Sequence, residues 1–372
     1  MIRKLCRATF LGAVLSFGVS AIAIAQPASA CDEDDTLGCA NLPVLRVPST
    51  AYPTIQSAVD AVPVGGAIIR VAPGVYTESI QVAAQGVRIT GAGAGKTHLL
   101  APESTVPAIS FAAGAGGDVE DLLIVGGNHG IEGIGSVIGA VGGNGPSIAI
   151  RRVIVTGSGR GIFGTFSNLN LRAVSILRTA WNGMSVSAAQ LIATDSIISN
   201  AGGVGILVTG VAPGVGVVLD GLTLNNNSNG GIEIQGNPGP VMIRNCTLLL
   251  NGRAGIFLDN AGSVTIESTI ASFTQSINNG ALGDGIDVFG SNPVTVSFAN
   301  IDFNARSGIA VFASGTTEVD NSNLLYNAFA LDAEPSASFT FEDPSNVVCF
   351  DQGETACQVL SSSPQPPQPI SN

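Results

Sequence analysis

The stretch Val241-Met242-Ile243-Arg244-Asn245-Cys246-Thr247-Leu248-Leu249-Leu250-Asn251-Gly252-Arg253-Ala254-Gly255-Ile256 decides the fold of this chain. It opens with an alternating apolar–polar strand, passes through asparagine-bearing turns, and closes on a glycine followed by an apolar residue. The same phrase recurs at Gly161-Ile162, Gly183-Met184, Gly205-Ile206, Gly231-Ile232, Gly255-Ile256, Gly285-Ile286 and Gly308-Ile309, in steps of 22, 22, 26, 24, 30 and 23 residues. An asparagine precedes most of these glycines, at Asn182, Asn200, Asn226, Asn251, Asn279 and Asn304. A period of roughly 20–30 residues with two or three short strands is one rung of a parallel β-solenoid. Glycine and asparagine are expected at the turns because both tolerate left-handed backbone there. Stacked asparagine side chains can bond along the ladder. The Leu-x-x-Leu-x-Leu frame of leucine-rich repeats is absent.

Composition agrees. The 372 residues include 48 glycines, with 45% hydrophobic, 11% charged and 5% aromatic residues. So little charge excludes a coiled coil, and abundant Val, Ile and Leu exclude disorder. Ahead of the rungs, Ile55, Ala58, Val59 and Val62 fall at helical spacing, which predicts a short amphipathic helix over 54–62. An end rung exposes unpaired backbone and apolar side chains, so a helix covering it makes physical sense. Residues 361–372 hold four prolines and no charge and read as a loose tail.

The first thirty residues read as a secretory signal. Arg3, Lys4 and Arg7 precede an apolar stretch over 8–25, and Ala28-Ser29-Ala30 supplies the small residues of a cleavage site. An uncleaved anchor and a lipoprotein modified at Cys31 are the alternatives. Position 28 is Ala where lipoproteins usually carry Leu. Removing three cations and no acids takes the formal charge from −12 to −15. Such an acidic chain is a poor partner for nucleic acid or anionic lipid. The uncharged run Ser196 to Leu219 matches a membrane span in length, but its six glycines and Pro213 belong to the repeat, so no transmembrane segment is read in the mature chain. Cys31 and Cys39, and Cys349 and Cys357, are spaced alike and flank the body. The expectation is two local disulfides in a secreted or periplasmic protein, with Cys246 a reduced core residue.

The segment Tyr52-Pro53-Thr54-Ile55-Gln56-Ser57-Ala58-Val59-Asp60-Ala61-Val62-Pro63, followed by Ile68-Ile69-Arg70-Val71-Ala72-Pro73-Gly74-Val75-Tyr76-Thr77-Glu78, resembles the N-terminal segment of pectin methylesterases. It is similar to a segment shared by many right-handed parallel β-helix proteins of the pectin lyase-like superfamily. The resemblance implies an all-β chain forming a single right-handed parallel β-helix over 48–345. Residues 1–30 would be the signal, 31–47 an acidic Cys-bearing leader and 346–372 a Cys-bearing end with a Pro-rich tail. Known activities in that superfamily are lyase, hydrolase, esterase and epimerase. The further motifs of the esterases and the arginine motif of the pectate lyases are missing. Gly283-Asp284-Gly285-Ile286-Asp287-Val288 resembles the first aspartate block of polygalacturonases, whose remaining blocks are absent.

Other motifs reduce to structure. Gly91-Ala92-Gly93-Ala94-Gly95-Lys96-Thr97 carries Thr90 where a P-loop needs its first glycine, so no nucleotide site is expected. His98 and His129, the only histidines, lack accompanying ligands for zinc, and His129 reads as a turn residue. One constellation survives alignment on the repeated glycine. A column of Phe163, Ser185, Leu207, Glu233, Phe257, Asp287 and Ala310 stands two residues before a column of Thr165, Ser187, Thr209, Gln235, Asp259, Phe289 and Phe312. Both columns share the face opposite the inward apolar positions. The expectation is an exposed carbohydrate-binding strip of Glu233, Gln235, Phe257, Asp259, Asp287 and Phe289. Glu233, Asp259 and Asp287 are its candidate catalytic acids, with the backbone positions of neighbouring acids roughly 8 Å apart, within the roughly 6.5–9.5 Å carboxylate range of inverting glycosidases. No cofactor is required, and calcium is an option for those acids. Two functions remain open. One is an exported protein binding an extracellular or envelope polysaccharide through this ladder face without catalysis. The other is a polysaccharide hydrolase or lyase using the same acids. A solvated acidic face is the plain alternative to both.

Overall fold

A single rung has no interior, so its inward side chains are buried only when rungs stack. A computed structural model shows that stacking and describes residues 42–135, 145–187, 190–210, 216–236, 239–276, 282–290, 293–313, 316–350, 357 and 359–360. Each turn of the chain lays one strand on each of three parallel faces. Among the described residues these faces have 13, 12 and 9 strands. The 9-stranded face continues through single bridges at Ile270, Asn300 and Asn323 into the pair Asn323–Leu325 and Val348–Phe350. Register is kept rung to rung: Ile232 lies beside Ile256, then Ile286, then Ile309, all inside the coil and essentially inaccessible. The ladder begins before residue 48, because Val44–Val47 pairs in parallel with Ala67–Val71. It also runs past 345, through Val348–Phe350 and Val359–Leu360.

The repeated glycines prove not to be turn residues. All lie outside the left-handed region, six within strands of the 12-stranded face and Gly183 directly before one, Met184–Ser187. A Cβ on Gly255 would stand 2.6 Å from the carbonyl oxygen of Gly285 in the next rung. The requirement is close approach of neighbouring backbones, not a special φ. Gly255→Ala is therefore expected to cost about 1–3 kcal/mol, the usual range for overpacking, read as a lowered urea midpoint with unchanged slope.

The left-handed positions lie at the turns, and asparagine fills them at Asn200, Asn226, Asn245, Asn260 and Asn321. A second set of asparagines points inward and forms the ladder. Asn251 Oδ1 accepts from Asn227 N at 3.1 Å and from its Nδ2 at 3.0 Å, and Asn327 does the same for Asn304 at 2.9 and 3.0 Å. The sequence column thus mixed two ladders one residue apart: Asn200 and Asn226 bond outside at 2.7 Å, while Asn182, Asn251 and Asn304 are buried. Asn279 lies outside the described residues. At the same outer turn, Leu250, Phe273, Phe303 and Tyr326 take the left-handed conformation that costs a bulky residue about 1–2 kcal/mol. Stacking of Phe273 on Phe303 at 5.0 Å and of Phe303 on Tyr326 at 4.7 Å offsets part of that cost.

The expected helix is present at Ile55–Asp60. It buries Ile55, Ala58 and Val59 against the first strands, with Val62 packed half-buried beside them. Thr54 caps it, and the Glu78 carboxylate accepts from the backbone N–H of Ile55 and Gln56, both at 3.0 Å. A carboxylate at a helix N-terminus is stabilised by the free N–H groups there. Glu78 of the resembling segment is thus a helix cap, which explains why the segment speaks for fold. Cys349 and Cys357 are bridged; Cys246 is free and buried, and burial pushes its thiol up to about 11. The expected Cys31–Cys39 bridge and the signal lie outside the described residues. Among the described residues no helix is long and apolar enough to cross a membrane.

Candidate functional site on the 12-stranded face

Strand alternation sends half the residues of the 12-stranded face outward. Both expected columns form as aligned: Leu207, Glu233, Phe257, Asp287 and Ala310 are successive register partners, as are Thr209, Gln235, Asp259, Phe289 and Phe312. Their exposure differs from expectation. Glu233, Phe257 and Asp287 are only 2, 3 and 0% exposed, while Gln235, Asp259 and Phe289 are half-buried. The first column is a covered layer, so the strip is not open along its length.

Arginines account for part of the cover. Arg253 lies over the Phe257 ring at 5.2 Å and 3.8 Å from Glu233 Oε2, and Gln235 Nε2 donates to Glu233 Oε1 at 2.5 Å. Arg306 donates to both oxygens of Asp284, through Nε at 2.8 Å and through Nη2, while Ser307 N donates to Asp284 Oδ1 at 2.8 Å. Both arginines are themselves buried. Asp287 Oδ1 stands 3.9 Å from Arg306 Nη2, and neither Asp287 oxygen has a hydrogen-bond partner among the described residues. Burial holds the Asp287 carboxyl well above the usual carboxylate range, and the neighbouring Asp284 charge adds to the rise. Burial also raises Asp259, against a hydrogen bond from Asn260 Nδ2 at 2.6 Å.

A second polar group lies further toward the N-terminus of the same face, with His129 buried and Glu132 half-buried. His129 and Glu132 sit on the strand His129–Ile134, whose register partners on Arg160–Thr165 are Arg160 and Phe163. His129 Nδ1 is 2.5 Å from Glu132 Oε2, and its ring stacks on Phe163 at 4.6 Å. A carboxylate can only accept, so Nδ1 carries the proton and Nε2 faces Arg160 Nη1 at 3.4 Å. The Arg160 guanidinium lies 5.4 Å from the Phe163 ring centre and 5.2 Å from that of Trp181, and its Nε has no hydrogen-bond partner among the described residues. Trp181, the single tryptophan, is 54% exposed. Its indole lies against Gly159, where an added Cβ would come within 3.0 Å of the ring.

This group was missed in the sequence, although one signal was available. Gly130-Ile131 extends the glycine–isoleucine repeat one rung before Gly161-Ile162, and aligning it sets His129 over Arg160 and Glu132 over Phe163. His129 is a strand residue, not a turn residue. His98 stands apart on the 9-stranded face. Among the described residues no group of three or more His, Cys, Asp or Glu side chains is placed to hold a metal, so no step is routed through calcium.

Residues 153–324 and 230–349 match the family model described as the right handed beta helix region. Similar solved structures include the A-module of the Azotobacter vinelandii mannuronan C-5 epimerase AlgE4, at 16% identity and TM-score 0.57 over 86% of this chain and 95% of that one. A point mutant of the periplasmic alginate epimerase AlgG aligns at 12% identity and TM-score 0.54, over 89% of each chain. ORF18 of Geobacillus virus E2 aligns at 13% identity and TM-score 0.53, over 80% of this chain and 57% of that one. At these identities the likeness is one of fold. No curated protein sequence matches the chain.

Proposed function

This chain belongs to the right-handed β-helix family, and on that premise we propose that it is an exported protein binding an extracellular or envelope polysaccharide along the outward side of the 12-stranded face. The observation that carries the reading is Trp181: a largely exposed indole beside the half-buried Arg160 guanidinium, 5.2 Å from its ring centre. An aromatic face covers the apolar side of a sugar ring, and a charged donor beside it orients the hydroxyl or carboxylate groups. The half-buried column of Thr165, Ser187, Thr209, Gln235 and Asp259 continues the track, offering one polar side chain per rung about every 4.8 Å. Phe289 extends it. Glu233, Phe257 and Asp287 act from beneath as its support. The names of the two epimerases of similar fold, which act on mannuronan and alginate, favour a polysaccharide ligand. The signal-like segment over 1–30 and the Cys349–Cys357 bridge favour export.

A second reading, in which this face is catalytic, draws on one specific observation: the pairing of His129 with Glu132 beside Arg160. Glu132 would hold the imidazole with Nε2 as the base, and Arg160 would oppose negative charge developing on the sugar. Glu233 and Asp287 are fully covered, so this reading sets the chemistry on the pair of His129, itself 8% exposed, and the half-buried Glu132.

Binding of the full chain to uronate and neutral polysaccharides, with and without calcium, tests both. Trp181→Ala is expected to weaken the best ligand about tenfold or more; unchanged affinity in a folded variant overturns the binding reading. Turnover in the parent that is lost in His129→Gln, with binding retained, establishes the catalytic one. A parent without turnover on any of these substrates refutes catalysis on them.

A further inference from the structure

The 13-stranded face carries a second feature, built from arginine. Its outward column alternates in sign toward the C-terminus, where Asp220, Arg244 and Glu267 are successive register partners and Arg244 Nη2 lies 2.8 Å from Asp220 Oδ2. Two arginine pairs depart from that pattern: Arg151 and Arg172, which have Glu120 and Asp195 within 4 Å, and a pair at the N-terminal end. Arg46 and Arg70 are direct register partners, both are exposed, and among the described residues neither has an acidic partner. Like charges side by side on adjacent strands are destabilising. The mature chain has few cations to place, since the whole sequence holds 15 Lys and Arg against 27 Asp and Glu. Two of them are set together here without compensation.

Beside this pair opens a cleft of about 390 Å³, lined by Ile68, Arg70, Val71, Arg88, Thr90 and Gly91 among others. Arg88 is held in place from one side: its Nη2 donates to both oxygens of the buried Glu120 at 3.0 Å, with no other Arg88 nitrogen taken up by a hydrogen bond among the described residues. Glu120 is in turn gripped by Arg151 at 2.9 Å and Arg152 at 3.3 Å, so it is neutralised without Arg88 giving up its remaining N–H groups. The Thr90 hydroxyl, shielded from solvent, has no hydrogen-bond partner among the described residues. Asp118, the register partner of Arg88, is buried and lies 3.5 Å from Arg151 Nη1, while Arg70 and the remaining Arg88 N–H groups have no hydrogen-bond acceptor among the described residues. A carboxylate supplies the matching acceptors, because its two oxygens fit the planar guanidinium fork.

We propose that this cleft is an anion subsite that receives the carboxylate of an acidic sugar residue, with Arg70 and Arg88 as its clamp and Arg46 extending it by one rung. The subsite lies on a different face from Trp181. It rests on the polysaccharide reading only for the kind of chain that brings the carboxylate.

The test compares a short oligogalacturonate with its neutral methyl ester on the full chain. The acid is expected to bind about tenfold more tightly than the ester, an advantage that shrinks with added salt, and to shift the NMR signals of Arg70, Arg88 and Thr90. Arg46→Gln/Arg70→Gln removes exposed like charges without acidic partners, so melting should be unchanged or slightly raised while affinity for the acid falls about tenfold and that for the ester stays put. Equal binding of acid and ester, or full acid affinity in the double variant, overturns the proposal. So does Arg46- and Arg70-dependent binding to vesicles of anionic phospholipid without binding of the oligogalacturonate. Trp181→Ala separates the two readings. If it abolishes acid binding and the arginine variant does not, the subsite fails while the polysaccharide face stands.

Discussion

Asp284→Asn is expected to destabilise the fold by about 3–5 kcal/mol, the cost of breaking a buried ion pair by removing one partner. Asp284 is inaccessible and accepts from Arg306 through both oxygens, and from Ser307 N at 2.8 Å. The substitution keeps the shape and removes the charge. Asp287 makes the experiment sharper, because it lies 3.9 Å from the same guanidinium, and burial and the Asp284 charge raise its pKa well above the usual carboxylate range. With Asp284 neutral, Asp287 is free to ionise and replace part of the lost ion pair. Asp287→Asn alone should therefore be neutral or stabilising at neutral pH. The double variant should lose about 1–2 kcal/mol more than the sum of the singles, a coupling typical of groups sharing a partner. The pH dependence has a definite sign. The Asp287 pKa is raised in the folded state, so folding binds a proton. Its contribution to stability is full below the ordinary carboxylate pKa and declines as pH rises through the raised value. Asp287→Asn should match the parent at pH 4 and equal or exceed it at pH 8. Urea unfolding followed by circular dichroism at the two pH values measures all three variants. Additive losses would sink the account of a shared cation.

Asn251→Ala should cost about 2–4 kcal/mol by stranding buried polar groups. Asn251 Oδ1 serves both the backbone N–H and the side-chain amide of Asn227, and its Nδ2 donates to Leu224 O at 2.9 Å. Asn227 Oδ1 in turn accepts from the backbone N–H of Ala201 at 3.0 Å, so one deletion loosens two neighbouring rungs. The outer ladder provides the control. Asn226 is exposed with φ of 54°, a conformation glycine adopts without strain. Asn226→Gly should therefore stay within about 0.5 kcal/mol of the parent. The two asparagines belong to adjacent turns of the same sequence phrase. Similar urea midpoints for the two variants would show that burial does not separate their roles.

The clearest lesson about reading such a chain comes from its glycines and arginines. Gly255-Ile256 and its counterparts located every rung from 161 to 309, yet the expected cause, turn conformation, was wrong. The cause is the Gly285 carbonyl, 30 positions later, which an added Cβ on Gly255 would meet at 2.6 Å. Gly130-Ile131 obeyed the same rule and was passed over, which hid His129 and Glu132. The columns through Glu233 and Asp259 were legible because strand register follows directly from a fixed repeat.

What the sequence by itself determined is therefore the solenoid: its period, the inward apolar positions, the helix over the first rung, the Cys349–Cys357 bridge and the reduced Cys246. These depend on residues close in the chain or on a pattern repeated in every rung. Tertiary structure alone decided which outward residues meet solvent. Glu233 and Asp287 are covered because Arg253 and Arg306 fold over them, whereas Trp181 and the Arg46–Arg70 pair stay open. Alternation assigns a side chain to one side of a strand. Whether that side is dry depends on what a neighbouring rung lays over it, and a charge is stable there only where that rung brings its partner.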